Sequence, residues 1–149
     1  MEIVAEEQLV LFSLGSEEYA VSIAQVKEII QYKGSTKLPN TPVYMEGIIS
    51  LRGKIIPVID LALRLELPTT QTGGKSALIV ETAGREIGIV VDAVTEVIRL
   101  QDSAIEPSPT MTKTGYIRGI GKTGERLLIL LDVDKMFGAE EIEELQRVC

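Results

Sequence analysis

The sequence predicts a mainly β protein built from two similar halves. Three observations carry this expectation. Short apolar runs are separated by two-residue turn signals. Hydrophobic residues make up 45% of the 149-residue chain but aromatic ones only 4%, so Ile, Leu and Val must fill the interior. The pattern of the first half also starts again after a Gly-Gly stretch.

In chain order, Leu9 to Leu14 is an apolar run, and Glu17 to Ile23 follows with Tyr19, Val21 and Ile23 on one face. Gly15-Ser16 between them is a hairpin turn of the Gly-X kind. In the next stretch, Ala24 to Ile30, Val26, Ile29 and Ile30 sit at i, i+3 and i+4, the spacing of one helix face. Ser22 is placed to cap that helix, with Gln25 at the capping-box position. Gly34 to Pro42 reads as a loop. Met45 to Asp60 reads as a second hairpin turning at Arg52-Gly53. Pro57 lies in its second strand and cannot donate to a ladder, which predicts an edge or a bulge there. Asp60 can cap a short helix carrying Leu61, Leu63, Arg64 and Leu65. Pro68 to Lys75 is the linker candidate. The tail, Ala139 to Val148, reads as a helix with Ile142 and Leu145 inward and four glutamates outward.

The repeat has two gapless blocks. Val10 to Ile30 matches Leu78 to Ile98 at an offset of 68, and Gly47 to Leu61 matches Gly119 to Val133 at an offset of 72. Glu18 meets Glu86, Val26-Lys27-Glu28-Ile29-Ile30 meets Val94-Thr95-Glu96-Val97-Ile98, Gly47-Ile48 meets Gly119-Ile120, and Asp60 meets Asp132. The expected halves are 8–67 and 75–138, followed by the terminal helix at 139–149. Short strands at this spacing suggest a small closed or nearly closed barrel per half, which protects strand edges.

Composition excludes several kinds of chemistry. There is no histidine, so there is no Ser-His-Asp triad, Cys-His pair, His-containing zinc site or phosphocarrier histidine. One cysteine, the terminal Cys149, excludes an intramolecular disulfide and every CxxC motif. The formal charge of −7 argues against non-specific nucleic-acid binding. No apolar run approaches the roughly 20 residues of a membrane span, and the N-terminus is acidic where a signal peptide is basic. The expected compartment is the cytoplasm, with no direct membrane insertion.

Literal motifs do not survive their context. Gly119 to Gly124 fits GxGxxG, but a strand pattern follows it where a dinucleotide site needs a helix. Gly121-Lys122-Thr123 and Gly74-Lys75-Ser76 resemble the end of a P-loop, but Tyr116 and Thr69 stand where its first glycine belongs. Asp132 and Asp134 could in principle do acid–base work, yet the echo of Asp60 in Asp132 favours capping. No metal-ligand spacing is present, and no cofactor is expected. What remains is surface chemistry. Lys27 and Glu28 lie beside an apolar strip, and Arg52 stands on a turn where its planar fork suits carboxylates. A solvated turn arginine followed by a glycine with positive φ explains the same residues without a partner.

The order of blocks resembles the CheW-type coupling proteins of bacterial chemotaxis. The matching stretches are Phe12 to Tyr19, Val26 to Ile30, Leu38 to Pro42, Gly47 to Leu61, Gly88 to Val94 and Gly119-Ile120-Gly121. Ser50 departs from the Asn usual before Leu-Arg-Gly in that family.

The resemblance implies two small five-stranded β-barrel subdomains, SH3-like or OB-like, whose strands can be exchanged between the halves. It also implies a non-catalytic adaptor joining the cytoplasmic tips of methyl-accepting chemoreceptors to the histidine kinase CheA, whose regulatory domain shares the fold. Carried onto this chain, Glu28, Arg52 and Gly53 fall at kinase-docking positions. Val26, Ile30 and Leu78 fall near the groove that takes the receptor's helical hairpin, and ordinary core explains each of those three equally well. Other readings are an adaptor–receiver fusion of the CheV type, the kinase's own regulatory domain, a coupling protein of a non-chemotaxis array, and a small β-barrel hydrolase using carboxylates. The 149 residues leave no expected room for a receiver or an ATP-binding domain.

Overall fold

The computed structural model describes residues 5–67, 75–107 and 115–137. Most of the linker stretch and the expected terminal helix, Cys149 included, lie outside the described residues.

The first hairpin is β1 (Glu6–Leu14) and β2 (Glu17–Ser22). Its turn is Gly15-Ser16, with Gly15 at φ 62°. The second hairpin is β4 (Met45–Leu51) and β5 (Lys54–Asp60), turning at Arg52 and Gly53. Between the hairpins, the expected helix is replaced by one 3₁₀ turn, Ile23–Gln25, and then the strand β3 (Val26–Tyr32). Ser22 does cap the 3₁₀ turn, accepting from the Ala24 N–H at 3.3 Å. The helical spacing of Val26, Ile29 and Ile30 was misleading because β3 carries an irregularity between Val26 and Glu28. The extra residue shifts the alternation of faces, and β-branched residues suit a strand in any case.

The second half repeats the order with β6 (Lys75–Thr82), β7 (Arg85–Val91), β8 (Ala93–Gln101), β9 (Ile105–Pro107), β10 (Ile117–Thr123) and β11 (Arg126–Leu131). Two four-residue helices, α1 (Leu61–Arg64) and α2 (Val133–Met136), follow β5 and β11. Asp60 caps the first and Asp132 the second, accepting from Leu63 N and Asp134 N. The echo of Asp60 in Asp132 is thus a shared capping role.

The strands form two sheets, ordered β8-β1-β2-β11-β10-β9 and β3-β6-β7-β5-β4. Each sheet draws strands from both sequence halves, so the pairing that forms is not one barrel per half. The hairpin β1–β2 lies in the sheet of β8, β10 and β11, and β6–β7 lies with β3, β4 and β5. Two parallel pairs, β2 with β11 and β5 with β7, join the exchanged pieces. The repeat offsets carry one sheet onto the other pair by pair. Leu9↔Ile98 becomes Ala77↔Ile30, Leu11↔Glu96 becomes Ile79↔Glu28, and Leu130↔Ala20 becomes Val58↔Gly88. The duplication read in the sequence is therefore also one of strand register.

Strand β5 is an inner strand, which corrects the edge expected from Pro57. The ladder to β7 starts at Val58, one residue past Pro57, so the missing donor falls before that ladder. The irregularity is on β4, between Met45 and Gly47.

Alternation then sorts the side chains. Val10, Phe12 and Val21 from one sheet join Leu78, Val80, Ile87 and Ile89 from the other in the main core. The opposite face of the six-stranded sheet buries Leu9, Leu11, Ala20, Leu100, Leu128 and Leu130. Burying a side chain of this size contributes about 1.5–3 kcal/mol before entropy is counted.

Candidate partner-docking site

Strands β3 and β4 are the two edges of the five-stranded sheet. They are tied to each other at two points. At one, Thr36, just beyond β3, bridges Ile48 of β4 with two backbone hydrogen bonds of 2.9 Å. At the other, Arg52 Nη2 on the β4–β5 turn donates to Glu28 Oε2 on β3 at 2.6 Å. An open cleft of about 520 Å³ lies along these edges, with Ile30, Tyr32, Ile48 and Leu51 among its lining residues.

The turn itself explains why Arg52 is displayed. Arg52 and Gly53 both have positive φ, 51° and 78°, the pattern of a type I′ hairpin. Gly53 adopts it freely, and Arg52 does so against its own preference. The Arg52 side chain is 71% exposed and that of Glu28 22%. One guanidinium nitrogen is held by Glu28, and most of the fork faces solvent. Glu28 Oε1 is buried and makes no hydrogen bond in this structure.

The repeat gives an internal comparison. The counterpart of Glu28 is Glu96, and the turn counterpart of Arg52 is Gly124. There, Glu96 is held by Arg126 at 2.7 Å, and the same arginine also grips Glu18 at 3.0 and 2.7 Å. That grip holds the Glu18 carboxyl below the ordinary carboxylate range, mainly by hydrogen bonding. In the five-stranded sheet the work is divided. Lys54 pairs with Glu86 at 3.3 Å and Arg52 with Glu28. The turn arginine therefore belongs to one sheet only.

The two hairpin ends also differ in charge. Lys27, Arg52, Lys54 and Arg85 stand among Glu28, Glu81 and Glu86 at the end of the five-stranded sheet. At the matching end of the other sheet, Arg126 holds Glu18 and Glu96, Asp92 accepts from the Gly15 N–H, and Glu17 and Glu125 stand at the hairpin turns.

Three of the expected site residues come together: Glu28, Arg52 and Gly53 share one end of one sheet. The other three do not share a face. Val26 pairs with Val80 and packs against the main core. Leu78 is completely buried in that core, so it is not part of an exposed strip. Ile30 pairs with Ala77 on the opposite face, beside the cleft. Sequence reasoning missed Ile29. It pairs with Leu78, so it lies on the same face, and it is 44% exposed. Its repeat counterpart Val97 is likewise exposed. The sequence shows an apolar residue at both repeat positions, Ile29 and Val97, but not that either is exposed.

Among the described residues, no cluster of three or more acidic, Cys or His side chains could hold a metal. Gly119 and Gly121 lie within β10, Gly124 lies on the turn, and β11 follows, so the glycine pattern serves a hairpin. No described helix is long and apolar enough to cross a membrane.

Comparison with known proteins agrees with this architecture. The profile of the CheW-like domain matches residues 8–141. The chain is 38% identical over 147 residues to chemotaxis protein CheW of Klebsiella aerogenes, covering 96% of this chain and 89% of that one. It is 35% identical to chemotaxis protein CheW of Treponema pallidum, covering 93% and 86%. The crystal structure of the scaffolding protein TtCheW from Thermoanaerobacter tengcongensis superposes with a TM-score of 0.85 at 38% identity, covering 92% of this chain and 96% of that one. With the family profile, sequence relatives and sheet architecture in agreement, the chain belongs to the CheW-like family of chemotaxis scaffold proteins.

Proposed function

We propose that this protein is a non-catalytic adaptor that couples transmembrane chemoreceptors to the histidine kinase CheA in signalling arrays on the cytoplasmic side of the membrane. The observation that carries the reading is Arg52. It is held on an exposed turn at positive φ and spans two sheet edges to Glu28, whereas glycine stands at its turn position in the duplicated sheet. Ala83, on the two-residue turn of β6–β7, carries the same backbone cost at φ 53°, so what sets Arg52 apart is its side chain, an exposed guanidinium that reaches across to Glu28.

In this reading Arg52, Gly53 and Glu28 form the kinase-docking end, where the exposed fork meets a carboxylate-bearing partner surface. Val26 and Ile30 contribute to receptor contact from the two faces of β3, and Leu78 supports the first of these faces from beneath. Binding two partners at separate surfaces lets an array gain avidity from modest single contacts.

Co-sedimentation with receptor cytoplasmic fragments, with and without the kinase, tests the proposal. The expected result is that the protein sediments with receptor and brings the kinase down. Arg52→Ala should keep receptor co-sedimentation and lose kinase recruitment. A folded Arg52→Ala variant that recruits the kinase undiminished overturns the assignment of Arg52, and failure to sediment with any receptor fragment overturns the adaptor reading.

A further inference from the structure

We infer that Arg64 is a clamp that fastens the segment from Asp132 to Phe137 onto the first half of the chain. Arg64 is the last residue of α1. Its Nη2 donates to the Met136 carbonyl at 2.6 Å, a charge-assisted bond to the end of α2. Its guanidinium carbon lies 5.4 Å from the centre of the Tyr44 ring, 5.8 Å from Tyr116 and 5.6 Å from Phe137. All three fall within the range at which a cation is attracted to a ring face.

The position of these groups follows from the repeat. Tyr44 and Tyr116 are counterparts, and each carbonyl accepts from the aspartate N–H that opens the next short helix, Asp60 and Asp132, both at 2.8 Å. The two helices therefore leave from equivalent places. The counterpart of Arg64 is Met136 itself. At the point where the duplicated helices meet, one copy supplies a cation and the other a carbonyl acceptor. The chain holds only six Phe and Tyr side chains, and three of them surround this one guanidinium.

Contacts beyond its own hydrogen bonds must hold α2 in place. Four residues are far below the length at which a helix is stable alone. Its Lys135 and Met136 amides bond only one turn back, to the Asp132 carbonyl at 3.2 and 3.1 Å. Val133, Met136 and Phe137 are buried in the main core, so burial is the competing explanation for the segment's order.

Site-resolved amide hydrogen exchange on the full chain separates the two. Arg64→Met keeps an unbranched apolar stem and gives this position the residue of its repeat counterpart, while removing the charge and the donors. Arg64→Lys keeps the charge and removes the planar fork. The expected result in Arg64→Met is that exchange at the Lys135 and Met136 amides rises about tenfold relative to the Leu78 and Ile89 amides of β6 and β7, the factor that about 1.4 kcal/mol of lost local stability gives. Arg64→Lys should fall between wild type and Arg64→Met. An unchanged ratio in Arg64→Met, or a rise shared equally by the sheet amides, overturns the inference in favour of burial alone. If Arg64→Met does not fold, the ratio in Arg64→Lys decides by the same criterion. None of these outcomes depends on the adaptor reading.

Discussion

Arg52 and Glu28 stand on opposite edges of one five-stranded sheet, and their side chains meet at 2.6 Å. The pair is a surface contact by energy, since Arg52 is 71% exposed, and such pairs contribute about 0–1 kcal/mol. The backbone at Arg52 works the other way. A non-glycine residue at φ 51° costs about 1 kcal/mol that glycine does not. Arg52→Gly should therefore leave stability within about 1 kcal/mol of wild type by urea denaturation, even though the ion pair is gone. Kinase binding by the same variant should be lost. A loss of stability above about 2 kcal/mol would show that the pair holds the edges together and is not principally a docking element.

Gly47 and Gly119 carry a sharper stability prediction. A β-carbon on Gly47 would lie 2.3 Å from the Thr36 carbonyl oxygen, and one on Gly119 would lie 2.5 Å from the Glu106 carbonyl oxygen. Both contacts are to the backbone of the segment paired alongside the glycine's strand, so neither can be relieved by a side-chain rotation. Alanine at either position should cost about 2–4 kcal/mol, measured by urea denaturation. Gly84→Ala is the control. Its φ of 75° is strained for alanine but the space around it is open, so about 1 kcal/mol is expected.

The adjacent residues Leu78 and Ile79 are both buried, but on opposite faces of β6, whereas Ile29 opposite Leu78 is 44% exposed. Leu78→Ala should destabilise the fold by about 2–5 kcal/mol, and any effect on receptor binding should track the unfolded fraction. Ile29→Ala should cost under about 1 kcal/mol. Calorimetric melting of both variants checks the contrast.

The same residues show which parts of the fold could be read from the sequence. Hairpin turns were legible because Gly15-Ser16 and Arg52-Gly53 are local signals, and a two-residue turn fixes its flanking register. The repeat was legible because duplicated residues keep their spacing. Strand β3 was not legible, because Val26, Ile29 and Ile30 fit a helix face equally well and the irregularity at Lys27 hides the period of two. Nor was the exchange of hairpins between sheets. Partner choice for Leu9 or Ala77 depends on strands far along the chain, and nothing in either segment states it. For the site, the motif put Glu28, Arg52 and Gly53 where the fold brings them together at one sheet end. The burial of Leu78 and the exposure of Ile29 were not legible, because exposure depends on which face a strand turns inward.

The pH dependence of stability should carry a contribution from Glu7. Arg118 holds its carboxylate by two bonds, Nη1 to Oε1 at 2.6 Å and Nη2 to Oε2 at 2.7 Å. Hydrogen bonding to Arg118 is the largest cause that brings the Glu7 carboxyl below its ordinary range, with partial burial opposing it. A carboxyl lowered on folding binds its proton more readily in the unfolded chain. Its stabilising contribution is therefore complete above the ordinary carboxylate range and is lost as pH falls through the lowered folded value. Both side chains keep some exposure, 33% for Arg118 and 21% for Glu7, so the contribution should be about 1 kcal/mol or less. Urea denaturation of wild type and Glu7→Gln between neutral and acid pH measures it. The variant should be the less stable at neutral pH, and the two curves should converge in acid. Curves that stay parallel down to the acid limit would show that Glu7 titrates alike in the folded and unfolded chain.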